Sequence, residues 1–356
     1  MQAPAALAGP ADSFIAAAST RYAHPNILTR VFIGGNYRRT WATPVRMRVF
    51  DIRKEKGGMT ITRLGGGLQT KSLRMTDGQG REWSLRSVDK TVEKALKKEG
   101  IKSGFIRNIT QDMISAAHPY GALTVPPMAR ALGVVTPAPE LVYVQDDPGL
   151  GVYRSLFANT VCLLELRDPL VHDGDDATES TADLRRKLAG NKGATVNEHA
   201  LLQARLLDML IADWDRHDDQ WRWSFSKSRQ PAVYYPVPRD HDQAYFRSNG
   251  ILVPLVRPFT MHHLVGFRKK SNKLKQLNRK EWAFDRLLLQ DLTEADWRRG
   301  ILQFQTSLTD SVLIDAARQL PPEIYALHGD KLYGKLRSRR NTIVKPALRY
   351  YRFLHR

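Results

Sequence analysis

Residues 212–223 read ADWDRHDDQWRW, and residues 213–220 within them form a dense acidic segment. Four Asp and one His lie between residues 213 and 219, and like charges at this density repel one another in a dry core. The segment is therefore either solvated or gathered around a cation. The preceding residues, 196–211, are apolar on most faces, which predicts a helix that is central to the core and ends at this segment.

A second acidic segment follows the first along the chain. Residues 238–244 read PRDHDQA, so that Asp240 lies twenty residues after Gln220. Residues 221–225 and 233–237, between the two segments, predict two short strands. A hairpin formed by these strands would return the second acidic segment to the side of the first.

The order of helix, acidic loop, hairpin and acidic loop is the order in which protein kinases deliver their catalytic groups. Asp215 precedes Gln220 by five residues, which is the kinase spacing between the catalytic Asp and a metal-binding amide. Asp240 or Asp242 would supply the later metal ligand. In such sites a carboxylate orients the incoming hydroxyl, and hard oxygen ligands hold Mg²⁺ or Mn²⁺. The two segments together predict a metal-dependent phosphoryl-transfer site.

The stretch DRHDDQ at 215–220 resembles the Asp-Arg-His-x-x-Asn/Glu loops of divergent kinases. These are the HipA-type toxin kinases, the spore-coat CotH-type kinases and the secretory-pathway casein-kinase-like enzymes. The DHD stretch at 240–242 is similar to the Asp-x-Asp pair of the CotH type. The resemblance implies ATP and Mg²⁺ or Mn²⁺ as cofactors. It also implies catalytic roles for Asp215 and His217 and metal ligation by Gln220, Asp240 and Asp242.

A meander of short strands joined by glycine turns is predicted between residues 45 and 88. Residues 65–73 within it are similar to the Gly-rich segment that covers the nucleotide in these kinases, and residues 83–86 resemble the strand with their phosphate-binding basic residue. Residue 165 follows an apolar strand at the position where a hinge would meet adenine. The resemblance thus implies nucleotide contacts by Gly65, Gly66, Gly67, Gln69, Lys71, Arg86 and Glu165.

The pattern as a whole, over residues 36–354, resembles uncharacterised kinase-like regions attached to bacterial calcineurin-like phosphatases. The sequence departs from the kinase pattern at Gln220, where Asn or Glu is usual, and at Arg86, where many kinases have Lys. Lys90 is the alternative phosphate ligand, and Asp112 is the expected partner of Arg86. His-Arg-Asp and Asp-Phe-Gly motifs do not occur, so a conventional protein kinase is excluded and a pseudokinase remains an alternative.

The predicted fold is α+β and two-lobed, of the protein-kinase-like kind. Residues 1–40 are expected to form an extended arm, residues 41–166 a β-rich nucleotide-binding lobe, residues 167–195 a polar linker, and residues 196–356 a helical lobe with the catalytic and metal loops. Residues 151–157 are expected to form a strand.

Composition restricts the partners and the compartment. The chain has 356 residues and a formal net charge of +19, with basic runs at 268–280 and 331–345 that could contact an anionic surface. A specific nucleic-acid signature and a transmembrane segment are not predicted. The single cysteine excludes an intrachain disulfide, and residues 1–20 lack an export signal, so the compartment stays open.

Three functions are compatible with the sequence. The favoured one is ATP- and metal-dependent phosphoryl transfer to an unknown acceptor, either a protein or a small molecule. A metal-dependent phosphoester hydrolase is the second, since carboxylates and histidines bind transition metals, although His217 and His241 are the only histidines near the acidic segments. The third is a non-catalytic, kinase-shaped module that binds anionic partners.

Overall fold

The computed structural model describes residues 12–67, 69–100, 102–190, 193–228, 231–256 and 261–356. Seven strands lie before residue 167 among the described residues, and the elements after residue 240 are helices. The predicted α+β class, with a β-rich amino lobe and a helical carboxyl lobe, is confirmed. Across the described ranges, no helix is both long enough and apolar enough to cross a membrane.

The amino lobe is built on one mixed sheet. In the described residues the sheet contains β1 (Ser13–Ala16), β2 (Val45–Phe50), β3 (Met59–Gly65), β4 (Ser72–Asp77), β5 (Glu82–Ser87), β6 (Glu140–Val144) and β7 (Thr160–Leu166). Their order is β1-β2-β6-β7-β5-β4-β3. The β5–β7 pair is antiparallel, with Ser84 opposite Glu165 and Arg86 opposite Leu163. Side chains alternate between the two faces of a strand, so Arg86 and Glu165 share one face of the sheet.

The helices of the described residues complete the amino lobe and form most of the carboxyl lobe. They are α1 (Ile27–Phe32), α2 (Arg38–Ala42), α3 (Glu93–Lys98), α4 (Gly104–Met113), α5 (Val125–Ala131), α6 (Arg154–Phe157), α7 (Thr181–Ala189), α8 (Glu198–Ile211), α9 (Leu252–Val256), α10 (Leu274–Leu277), α11 (Trp282–Leu288), α12 (Glu294–Ser307), α13 (Asp310–Arg318), α14 (Pro322–Thr342) and α15 (Val344–Leu354).

Helix α8 is the centre of the carboxyl lobe. Asn197 caps it by accepting a hydrogen bond from the Ala200 amide, and every residue from Leu201 to Ile211 is buried. Helices α12 and α14 pack against it. Because it is surrounded by protein on nearly all faces, its few polar residues need partners inside the core.

A second, four-stranded sheet contains the predicted hairpin. Its strands are β8 (Ala177–Ser180), β9 (Thr195–Val196), β10 (Trp221–Phe225) and β11 (Val233–Pro238), in the order β8-β10-β11-β9 among the described residues. Strands β10 and β11 are antiparallel, with Trp221 opposite Pro238. The hairpin therefore returns the chain to the start of β10, where the first acidic segment ends.

Three segments differ from the sequence prediction because tertiary contacts decide their structure. Residues 12–40 of the predicted arm form β1 and α1 and begin α2; Phe14 stacks on Tyr143 with ring centroids 3.9 Å apart. Residues 1–11 of the predicted arm lie outside the described residues.

The predicted linker at 167–195 contains β8 and α7. Strand β8 forms there because its backbone pairs with that of β10. The predicted strand at 151–157 is helical.

A pair of histidines, His118 buried and His328 half-buried, joins the two lobes. The Nε2 atoms of His118, in the amino lobe, and His328, on α14, are 2.8 Å apart. One neutral imidazole can donate while the other accepts, but two protonated rings would present two donors to each other. Burial, together with nearby positive charge, lowers the pKa of His328 to about 4 and lowers the pKa of His118 well below its usual value. The contact therefore requires at least one neutral ring.

We expect this pair to make stability sensitive to acid. The folded-state pKa values lie below the value of about 6.5 for an exposed histidine, so the unfolded chain binds more protons between about pH 6.5 and pH 4. The free energy of unfolding should fall as the pH drops through this window. In urea titrations, His328→Gln should reduce the proton uptake on unfolding by about one relative to wild type. An exposed control, His355→Gln, should keep the wild-type slope; an unchanged slope in His328→Gln would contradict the assignment.

Candidate functional site

The first acidic segment begins where α8 ends. Ala212 has a left-handed backbone (φ +56°), and the Asp213 amide donates to the Asp208 carbonyl at 3.0 Å. A left-handed conformation costs a residue with a Cβ about 1–2 kcal/mol, so neighbouring contacts must hold it. The chain reverses at this point and runs through residues 213–220 into β10.

The contacts that hold the segment converge on the buried Arg216. Its guanidinium donates to the Asp213 carboxylate at 2.7 Å, lies 2.7 Å from Nδ1 of His241 and forms an ion pair with Asp208 at 3.2 Å. It also donates to the carbonyl of Arg239. One side chain from the first acidic segment thus ties together the end of α8 and the second acidic segment.

Asp208, Asp213 and His241 are also the group whose spacing suits a metal ion. Their ligand atoms all lie within 4.8 Å of one another. Arg216 contacts all three, and Arg205 donates to the other oxygen of Asp208 at 2.8 Å. Arg216 pairs with both carboxylates, so a cation here would have to displace it. The group can hold a metal by distance, but its two carboxylates already take part in a network of buried ion pairs.

The pKa of Asp213 agrees with this assignment. Burial alone would raise its pKa, but Arg216 and a hydrogen bond with His241 outweigh burial and lower it to about 2. The Asp213 carboxylate also accepts a hydrogen bond from the Asp215 amide at 3.2 Å. Asp213 therefore stays ionised and fixes the backbone of the residue predicted to be catalytic.

The predicted phosphate ligand, Arg86, lies between two carboxylates. Its guanidinium donates to Glu165 at 2.9 Å and forms an ion pair with Asp240. The expected partner Asp112 is wrong: helix α4 brings Asp112 to Arg38, with which it forms an ion pair. Burial raises the pKa of Glu165 more than Arg86 lowers it. Glu165, predicted at a hinge beside adenine, thus directs its side chain to Arg86.

The second basic residue of the amino lobe reaches the same acidic segment. Lys90 is buried and forms an ion pair with Asp242. Burial and the neighbouring Asp240 raise the pKa of Asp242 to about 6, in spite of Lys90. For Asp240, burial acts in the same direction, but Arg86, Lys90 and Arg216 outweigh it and its pKa is lowered. Asp240 is therefore the more strongly acidic of the two carboxyl groups predicted as metal ligands.

The glycine turn between β3 and β4 borders this cleft. Gly66 has φ +102°, and a Cβ there would lie 2.2 Å from the Thr70 carbonyl, so the turn requires glycine. Lys71 is tied to the strand of Arg86, because the Ser87 amide donates to its carbonyl at 3.0 Å. The predicted nucleotide residues of the turn are Gly65, Gly66, Gly67, Gln69 and Lys71.

The cleft between the lobes is nearly closed. Thr70, Arg86, Lys90 and Asp242 line a cavity of about 20 Å³. A water molecule needs roughly 10–15 Å³ by this measure, so the space suits a water and is far too small for a nucleotide. Entry of a larger ligand requires the ion pairs of Arg86 and Lys90 with the second acidic segment to separate.

The remaining predicted residues lie on the first acidic segment. The Asp215 carboxylate, 24 % exposed, contacts Nζ of Lys280 at 2.7 Å. His217 is exposed and precedes the short turn at 218–220. Gln220 is buried, its carbonyl accepts from the Arg239 amide at 2.8 Å, and its Oε1 has no hydrogen-bond partner in the described part of the chain. An orphaned amide oxygen beside the second acidic segment fits a ligand to a hard cation.

The structure therefore brings together part of the predicted set. Arg86, Glu165 and Asp240 are in direct contact, and Asp242 lies beside them on Lys90. His217 is exposed and has no described contact with this group. Sequence reasoning did not give roles to Asp208, Arg216 or Lys280, and it considered His241 only for the hydrolase alternative. The sequence offered one signal for the buried network, namely Arg205 and Asp208 inside a mainly apolar predicted helix. Charged residues at such positions are almost never fully buried without a partner.

Comparison with known proteins finds a similar chain among the solved structures. No known family model matches this chain, and no curated protein matches it. It is similar to the crystal structure of the proinflammatory kinase CtkA from Helicobacter pylori, with 10% sequence identity and a TM-score of 0.41, over 80% of this chain and 94% of that chain. Function is therefore inferred from this chain's own side chains and contacts.

Arg216 is expected to be essential for the stability of the site. Arg216→Met keeps the length of the side chain but leaves Asp208 and Asp213 buried without their shared partner, so the free energy of unfolding should fall by about 3–5 kcal/mol. The matched control is Arg185→Met, which removes an exposed ion pair with Asp218 beside the same segment and should cost less than about 1 kcal/mol. Urea unfolding at neutral pH measures both; equal losses would refute the central role of Arg216.

Proposed function

We propose that this protein is an ATP- and divalent-metal-dependent phosphotransferase of the atypical kinase type. The observation that supports it is the meeting of Arg86 and Lys90 from the amino lobe with Asp240 and Asp242 from the carboxyl lobe. Phosphoryl transfer needs cationic side chains on the phosphates and carboxylates on the metal, facing each other across one cleft. The HipA and CotH kinds of kinase remain the specific expectation for the acidic loops.

The four residues exchange partners when a metal nucleotide binds. Arg86 and Lys90 leave the carboxylates and contact phosphate oxygens, with the glycine turn closing over them. Asp240, Asp242 and the orphaned Gln220 oxygen are then free to hold Mg²⁺ or Mn²⁺, which neutralises phosphate charge. Each charge keeps an opposite partner in both states, and this limits the desolvation penalty of opening the cleft.

Asp215 is proposed to orient the acceptor hydroxyl. Its carboxylate is partly exposed and its backbone is held by Asp213, so the group is accessible and fixed in place. Lys280 pairs with this carboxylate in the structure. An anionic acceptor would bind Lys280 and so free the carboxylate. Most of the rate enhancement in such a site comes from positioning and charge neutralisation. His217, at the exposed edge, would contact the acceptor rather than brace the site. The acceptor is a protein or a small molecule with a free hydroxyl.

A non-catalytic module is the second candidate, and the closed cleft favours it. The ion pairs of Arg86 and Lys90 fill the space with the protein's own charges. A metallohydrolase has less support. Its two nearby histidines do not converge, because His217 is exposed whereas His241 is buried against Arg216.

The nucleotide part of the proposal predicts a loss of affinity in Arg86→Ala. One charge-assisted contact to phosphate contributes about 1.5–3 kcal/mol, so ATP should bind roughly 10–150 times more weakly. Arg63→Ala, on the exposed face of β3, is the control and should bind ATP as wild type does. Calorimetric titration with Mg²⁺ present measures both. Equal affinity in wild type and Arg86→Ala would remove Arg86 from the phosphate site.

The catalytic and metal roles predict different defects. Asp215→Asn should bind ATP and Mn²⁺ nearly as wild type does but abolish transfer, because orienting the acceptor matters only to the chemical step. Asp242→Asn should weaken metal-dependent ATP binding, because a charged ligand is lost. The measurement follows label from γ-labelled ATP to protein or small acceptors. Wild-type protein that neither binds ATP nor transfers label is a module, and one that instead hydrolyses phosphoesters with Mn²⁺ or Zn²⁺ is a hydrolase.

A further inference from the structure

A second cavity, of about 350 Å³, lies behind the first acidic segment. It is formed by Ala212, by the loop at 265–274 and by α14, and it shares no lining residue with the cleft of Arg86 and Asp242. Its lining contains four exposed basic residues, Arg268, Lys269, Lys270 and Lys273, and none of the described residues that line it is acidic.

The inner wall of this rear pocket contains the buried Arg339 of α14. Its guanidinium donates to three carbonyl groups, those of Met209, Leu210 and Arg268, at 2.6, 2.6 and 2.9 Å. No carboxylate within the described ranges pairs with it. Burial without a counter-charge lowers its pKa to about 9. The wall thus contains a buried guanidinium group that donates to three carbonyl groups but pairs with no described carboxylate.

Ser271 provides an unmet hydrogen-bonding group in the same pocket. The residue is 3 % exposed and lines the cavity, and its hydroxyl has no partner in the described part of the molecule. Buried hydroxyl groups are nearly always hydrogen-bonded, and an unpaired one points to a missing ligand or water. A hydroxyl can donate to an anion, whereas an apolar ligand would leave it unsatisfied.

The rim adds a field of one sign. None of the four basic residues of the rim makes an ion pair with a described residue. The pKa of the nearby Lys335 is lowered, first by its burial, then by two arginines and then by Lys269. Cations gathered around a concave surface repel one another, and an anion bound among them relieves that repulsion. The positive charge of the rim, the buried guanidinium of Arg339 and the unpaired hydroxyl of Ser271 all favour an anionic ligand.

We propose that the rear pocket binds a phosphate monoester dianion. Such a group has two charges and three acceptor oxygens, so it can accept from Ser271 and from several ammonium groups together. The cavity is also larger than one phosphate group, which leaves room for the molecule that the phosphate is attached to. The proposal does not depend on phosphoryl transfer in the cleft.

Binding in the rear pocket would act on the acidic segment. Ala212 lines the pocket, and Arg339 donates to the carbonyls of Met209 and Leu210 in the last turn of α8. An anion beside Arg339 therefore strengthens the point at which the segment leaves the helix. We expect phosphate to slow amide hydrogen exchange at residues 213–220.

The test is titration with inorganic phosphate in the absence of nucleotide and metal, followed by calorimetry. Two triple variants remove the same charge. The first variant alters the rear pocket by changing Lys269, Lys270 and Lys273 to Gln. The second alters exposed positions on α3 by changing Lys94, Lys97 and Lys98 to Gln. The first should bind phosphate at least about ten times more weakly at constant salt, whereas the second should stay within about twofold of wild type. Ser271→Ala should weaken binding about three- to tenfold.

Three outcomes would overturn the proposal. The first is that wild-type protein shows no saturable binding at millimolar phosphate. The second is an equal loss of affinity in the two triple variants, which would indicate a nonspecific effect of net charge. The third is that sulfate and chloride bind as tightly as phosphate. The Arg86→Ala variant separates this pocket from the cleft, because it should keep the phosphate site while its ATP affinity falls. Titrations with O-phosphoserine and glycerol 3-phosphate then identify the source, since a specific carrier should bind more tightly than inorganic phosphate.

Discussion

The buried ion pairs around Arg216 are the constraint on which the rest of the structure depends. A guanidinium taken out of water needs several partners, and here they come from α8, from the first acidic segment and from the second. Arg205 extends the same network to Asp285 of α11, to which it donates at 2.8 Å. Because each buried charge is stable only with the others in place, the network sets where both acidic segments lie.

The cleft is an extension of that network by a second set of charges. Once Arg216 has fixed the second acidic segment, Asp240 and Asp242 face the amino lobe, where Arg86 and Lys90 meet them. The lobes are thereby held together by ion pairs of these four side chains, which also close the cleft. In the proposed function a metal nucleotide would replace these contacts.

The rear pocket lies on the other side of the same segment. Arg339 completes the hydrogen bonds at the end of α8, while Arg216 holds the residues that follow. The acidic segment therefore lies between two buried guanidinium groups, one neutralised by carboxylates and one not. The absence of a carboxylate partner for Arg339 among the described residues is the physical reason for proposing an anion site on its side of the segment.

The amino-acid sequence by itself determined the local elements around the site. The mainly apolar stretch 196–211 predicts the central helix, and the strand patterns over 221–225 and 233–237 predict the hairpin. It also indicated the α+β class. Only the tertiary structure decided the partners of the charges. Arg86 pairs with Glu165 and Asp240 instead of Asp112, and residues 12–40 and 177–189 join the fold through pairing and stacking that their composition does not reveal. Periodicity reports which face of a segment is buried, whereas the partner of a buried charge depends on residues distant in sequence.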